Sequence, residues 1–161
     1  MPTHSERTEV AIAQGDPRDN EAAALLEALS QTLSAITGSS GTASFDPADV
    51  AVPRSLFLIA RDRTGQAVGC GSYRPHSETE AEIKRMLALP GTRGVGAALL
   101  AALERAARDD GYSTAICETR RANARAVAFY LGQGYAVVPN FGRYRGRPEA
   151  ICFAKGLVRR R

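Results

Sequence analysis

Apolar positions along the chain switch between a period near two and a period near 3.6, and each switch marks an element. Residues 8–13 (Thr-Glu-Val-Ala-Ile-Ala) alternate weakly and predict a first strand. Asp16, Pro17 and Asp19 or Asn20 then supply turn and N-cap chemistry. Ala22, Leu25, Leu26, Leu29, Leu33 and Ile36 recur at helical spacing as far as Gly38. Residues 37–54, rich in Gly, Ser, Asp and Pro, predict a long loop with one helical turn at 47–50. The apolar runs 56–60 and 67–73 enclose 61–66 and predict a hairpin. Residues 82–89 predict a third strand with charges on both faces: Ile83, Arg85 and Leu87 on one, Glu82, Lys84 and Met86 on the other.

The segment 94–110 carries the clearest helical stripe, with Leu99, Leu100, Leu103, Ala106 and Ala107 inward and Gly111 at its end. A strand at 113–119 follows. Asn123 then caps a helix with Ala126, Val127, Tyr130 and Leu131 on its inner face, and Gly132 predicts that this helix ends a turn early. Strands at 135–138 and 150–154 flank the polar, glycine-rich stretch 140–148. Adjacent strands followed by strand–helix–strand units predict a mixed sheet of the α/β or α+β kind.

The 161 residues are 44% hydrophobic and 24% charged, which fits one globular domain and excludes a disordered or fibrous chain. Residues 1–7 and 158–161 read as flexible tails. The net charge of +4 rests almost wholly on arginine, since Lys84 and Lys155 are the only lysines. No basic stripe interleaved with aromatics accompanies it, so no nucleic acid partner is expected. No apolar run is long enough to span a membrane and the first residues lack an apolar signal region, so a cytoplasmic protein is expected. Cys70, Cys117 and Cys152 have no short spacing and read as buried, reduced thiols; neither a disulfide framework nor a metal site is expected.

Arg93-Gly94-Val95-Gly96-Ala97 joins a strand to the long helix. Glycines there let backbone N–H groups and the positive helix end face a phosphate together, and Arg93 can add a charge-assisted contact. A tight turn with no ligand would use the same glycines. A P-loop is excluded by the missing Gly-Lys-Ser/Thr, and a dinucleotide fold by Leu99 at the third glycine position.

Downstream stand Asn123, Ala126, Tyr130, Gly134 and Tyr135. Together with Glu82-Ile83-Lys84-Arg85-Met86 and the glycine turn, they resemble the GNAT family of N-acetyltransferases over roughly 56–155. The resemblance implies a mixed, mostly antiparallel central sheet with flanking helices and two parallel strands that splay apart. It implies acetyl-CoA as cosubstrate, its pyrophosphate on the amides of Gly94, Val95, Gly96, Ala97 and Ala98 with Arg93 beside them. The pantetheine arm would run along Met86, Leu87 and Ala88, opposite Asn123. A strand amide would face the thioester carbonyl. Tyr130 matches the family's general acid, which protonates the departing thiolate; a buried tyrosine bonded to a carbonyl is the bland alternative. Glu82 or Glu118 would take the proton from the amine, directly or through water, and Glu118, next to Ile116 and Cys117, is expected to have a raised pKa. Either acid could instead form an ion pair with Lys84 or Arg85, and those two could hold an acidic substrate group. Phe141-Gly142-Arg143-Tyr144 resembles a segment of a bacterial subgroup and, with the 37–54 loop, forms either a wall of the acceptor pocket or an ordinary surface connection.

The implied function is transfer of an acetyl group to a primary amine, on a small molecule or a peptide, in a ternary complex without metal. A homodimer is common among similar proteins. The rival reading is a non-catalytic acyl-CoA-binding or regulatory module on the same fold.

Overall fold

A computed structural model describes residues 6–42 and 45–157. The elements run β1 (Ala11–Gln14), α1 (Asn20–Thr37), a 3-10 turn (Pro47–Val50), β2 (Leu56–Arg61), β3 (Ala67–Pro75), β4 (Glu80–Ala88), α2 (Val95–Asp109), β5 (Thr114–Arg120), α3 (Ala124–Gly132), β6 (Ala136–Val138), a second 3-10 turn (Gly142–Tyr144) and β7 (Ala150–Gly156). The strands form one sheet in the order β1-β2-β3-β4-β5-β7-β6. All neighbours are antiparallel except β4 and β5, which are parallel and joined through α2. The fold is therefore the mixed, mostly antiparallel one that the resemblance implied.

Alternation along the strands divides the core between two faces. Leu58 and Ala60 of β2 pack with Leu99, Leu100 and Leu103 of α2, while Phe57 and Ile59 pack with Ala22 and Leu25 of α1. Residues of α3, Tyr130 among them, share the α2 face. Tyr144 packs with Ala150 and Cys152 in a third, smaller cluster. The three cysteines are buried and free. No helix among the described residues is long and apolar enough to cross a membrane.

Two expectations change, and a third falls largely outside the described residues. The helix carrying Tyr130 runs through Gly132 and closes on Gln133, whose N–H donates to Phe129 O at 3.0 Å. Its inner face is narrower than its apolar stripe: Tyr130 alone is buried and Leu131 is 49% exposed. The tails read at 1–7 and 158–161 fall outside the described residues apart from Glu6 and Arg7.

Candidate active site

The sheet opens where β4 and β5 part. They pair only from Glu80–Thr114 to Glu82–Ile116. Beyond that, β5 continues along β7 as far as Arg120, and β4 continues along β3. A bulge in β4 follows just beyond the last paired residue. Cys70 faces Leu87 and Ser72 faces Lys84, so Gly71 alone opposes both Arg85 and Met86. Arg85 absorbs this bulge in a left-handed conformation with φ 55°, uncommon for a residue with a side chain. Gly71 leaves room opposite it: a Cβ there would meet the Met86 sulfur, and that side chain would have to shift.

The bulge also overturns the strict alternation expected of this strand. Ile83 and Met86 both pack toward α2, and Arg85 turns to α1, where its Nη2 donates to Ser30 Oγ at 2.6 Å. The gap between the strands holds a cavity of about 190 Å³, lined on the strands by Lys84, Arg85, Met86, Glu118 and Thr119.

On the α2 side, Gly94 adopts φ 78° and starts the helix. The Ala98 N–H donates to Gly94 O at 3.0 Å and is the first amide used inside the helix. The amides of Val95, Gly96 and Ala97 precede it and have no helical acceptor. The turn is pinned from far away: Arg93 N donates to Thr8 Oγ1 and Thr8 N to Arg93 O, both at 2.9 Å. A Cβ on Gly94 would lie 3.5 Å from the Arg7 side chain, so two arginines, Arg7 and Arg93, flank the helix start. Neither Arg7 nor Thr8 carries a local sequence signal for this role, since the partner lies 85 positions away.

From α3, Asn123 caps the helix through Oδ1, which accepts from Ala126 N at 3.2 Å. That leaves its Nδ2 donors, and Asn123, Ala126 and Tyr130 all line the cavity. Tyr130 packs on Phe153, with ring centroids 5.7 Å apart, and edge-on to Tyr135 at 5.5 Å. The two tyrosines differ at their hydroxyls. Tyr135 Oη donates to Glu104 Oε2 at 2.8 Å, whereas no described residue bonds the Tyr130 hydroxyl. Burial, with Cys117 and Glu118 nearby, holds the Tyr130 phenol well above its ordinary pKa, so it carries a proton across the physiological range.

Glu118 lines the same cavity from β5 and pairs with Arg120 at 2.9 Å rather than with Lys84 or Arg85. Burial raises its pKa against the opposing pull of Arg120 and Lys84. Glu82 is set apart from the cavity lining. It is buried between Arg74, at 3.0 Å, and Lys84, at 3.7 Å, and Arg74 also pairs with Asp49 of the first 3-10 turn. Lys84 Nζ donates to Tyr144 Oη at 2.9 Å, and Arg143, Tyr144 and Arg147 close the cavity from the second 3-10 turn and its flank. From α1 and the loop after it come Leu29, Leu33, Ser39 and Gly41. Both the 37–54 loop and the Phe141–Tyr144 segment thus contribute walls. Leu87 pairs with Cys70 and packs toward α1, and Ala88 pairs with Gly69.

The profile of the Acetyltransferase (GNAT) family matches residues 22–135. An IAA acetyltransferase of Azospirillum brasilense is 34% identical over 151 residues, covering 92% of this chain and 98% of that protein. A candidate acyl-CoA N-acyltransferase from Klebsiella pneumoniae superposes with a TM-score of 0.78 at 29% identity, over 92% of this chain and 98% of that one. An aminoglycoside 6′-N-acetyltransferase complexed with coenzyme A shares the fold, with a TM-score of 0.66 and 18% identity over 94% and 99% of the two chains. The chain belongs to the GNAT family and is an acyl-CoA N-acyltransferase of that type.

Proposed function

We propose that the protein moves an acetyl group from acetyl-CoA to a primary amine by direct attack within a ternary complex. The observation that carries this reading is the placement of Glu118 and Tyr130 on one cavity, opened by strands that part after three paired residues. Acetyl-CoA would supply a thioester whose carbonyl accepts the attack. The amides of Val95, Gly96 and Ala97 would bind its pyrophosphate at the positive end of α2, with Arg93 and Arg7 adding charge. The unpaired edge of β4 at Met86 would hold the pantetheine arm, as would the Nδ2 donors of Asn123.

Glu118 takes the proton from the ammonium. Its buried carboxylate, with a raised pKa, is a better base than an exposed one. Glu82 would serve the ion-pair lattice beneath the cavity, holding Lys84 and Arg74. Tyr130 gives its proton to the thiolate as the thioester breaks. A hydroxyl already bonded to a carbonyl could not do this without losing that bond.

A covalent acyl-cysteine route is disfavoured by the state of the buried thiols. Burial pushes the Cys70 thiol up to about 12 and raises Cys117 well above its ordinary value, so neither offers a thiolate. Holding both substrates in one cavity supplies the rate by proximity instead.

The test is incubation of the full chain with acetyl-CoA and a panel of primary amines, scored by free-thiol release. The expected outcome is amine-dependent release, with double-reciprocal plots that intersect. Parallel plots would point to an acyl-enzyme and overturn direct attack. Release that no amine stimulates would overturn the amine acceptor.

A further inference from the structure

The charges that line the cavity bear on the acceptor. Five basic side chains line the cavity, Lys84, Arg85, Arg120, Arg143 and Arg147, against one carboxylate, Glu118. Part of this charge is met inside the protein. Arg120 pairs with Glu118 at 2.9 Å, Lys84 lies 3.7 Å from Glu82, and Arg147 lies 3.9 Å from Glu149.

Arg85 is held by neutral groups. It is 9% exposed, and its guanidinium donates only to neutral oxygens: Ser30 Oγ at 2.6 Å, Ser40 O at 3.2 Å and Leu26 O at 3.3 Å. Its Nε is buried with no hydrogen-bond partner among the described residues. No carboxylate among the described residues bonds it. A guanidinium remains charged, and burying one without an anion is costly. The chain nevertheless holds it there through a bulge and an uncommon backbone angle.

These cations are not placed to hold the cofactor's phosphates. The amides suited to phosphate begin α2, which packs on one face of the sheet. Arg85 bonds α1 on the opposite face, and Arg143 and Arg147 come from the second 3-10 turn and its flank. The acceptor must enter from that opposite face if the acyl donor arrives from the α2 face.

Resting on the acetyl-transfer reading above, we infer that the acceptor is a small amine that also bears a carboxylate, of amino acid size, and that Arg85, Arg143 and Arg147 receive this carboxylate while its amine turns to Glu118. The cavity of about 190 Å³ suits a molecule of that size. Leu29 and Leu33 of α1 offer an apolar wall for its carbon skeleton.

The decisive experiment uses matched pairs. The full chain, saturated with coenzyme A, is titrated calorimetrically with N-acetylated amino acids and with their C-terminal carboxamides, which differ only in the charge at issue. The carboxylates are expected to bind about tenfold tighter or better, the scale of a hydrogen-bonded charge pair. Arg143→Gln and Arg147→Gln, both at exposed positions, are each expected to lower the carboxylate-to-carboxamide ratio several-fold. Equal affinities within pairs, or binding by no carboxylate of the set, overturn the inference. Binding confined to N-acetylated peptides with acidic side chains overturns the small acceptor.

Turnover separates this inference from the reading beneath it. Amino acids and plain amines of equal kcat/KM would sink the carboxylate requirement and leave acetyl transfer standing. Tight binding of the carboxylates with no thiol release from any amine would sink acetyl transfer and leave the anion site.

Discussion

On the side of α2 and α3 stand the amides that start α2, with Asn123, Ala126 and Tyr130 on the cavity; the charged side chains of the cavity come from β4, β5 and the second 3-10 turn, with Leu29 and Leu33 of α1 beside them. In the proposed reaction the first side would read a ligand through main-chain hydrogen bonds, which many sequences can supply once a glycine turn and a splayed strand exist. The second would read through specific arginines and one glutamate, which a few substitutions would alter. The division fits a family in which one substrate is constant and the other varies, with constancy assigned to backbone and variation to side chains.

The contrast can be broken at its strongest point by Tyr130→Phe. Removing the proton donor is expected to lower kcat by about 100-fold or more, with acetyl-CoA affinity nearly intact by calorimetry. An unchanged kcat would return Tyr130 to a packing role. Glu118→Gln on the opposite wall is expected to lower kcat by tens of fold. The wild type should also lose kcat as pH falls, because a base acts only above its pKa. Burial moves that limb above the ordinary carboxylate range, and the variant should lack it.

Gly94→Val probes the backbone wall. A β-branched residue at φ 78° is strained, and its Cβ meets the Arg7 side chain. A backbone penalty of roughly 1–2 kcal/mol corresponds to coenzyme A binding weakened by about tenfold, with kcat at saturation little changed. The smallest effect is expected from Tyr135→Phe. It removes the hydrogen bond to Glu104 and should lower stability by about 1 kcal/mol in denaturant unfolding, leaving kcat alone. A large kcat effect there would mean that Tyr130 depends on its neighbour's anchoring rather than acting through its own free hydroxyl.

Much of this was legible from local pattern. The stripe of α2, the cap at Asn123 and the single turn at Pro47–Val50 appear where spacing and composition place them. What escaped was non-local. Nothing near Thr8 announces its two hydrogen bonds with Arg93, and nothing near Ser30 announces the Arg85 guanidinium. The faces of β4 were misread because alternation counts every residue, and a bulge makes two residues share one partner. Choosing between Glu82 and Glu118 was likewise impossible along the chain: both are acids in strands, and only packing buries one between Arg74 and Lys84 and turns the other to the cavity.

By itself, the sequence determined the elements, their order and the chemical inventory of the site, because helical and strand periodicity, caps and glycine turns act over a few residues. The tertiary structure alone decided where the sheet divides, which acid meets the cavity and which guanidinium is buried without an anion. Those outcomes depend on side chains brought together from opposite ends of the chain, whose burial and charge exist only once the sheet has closed around them.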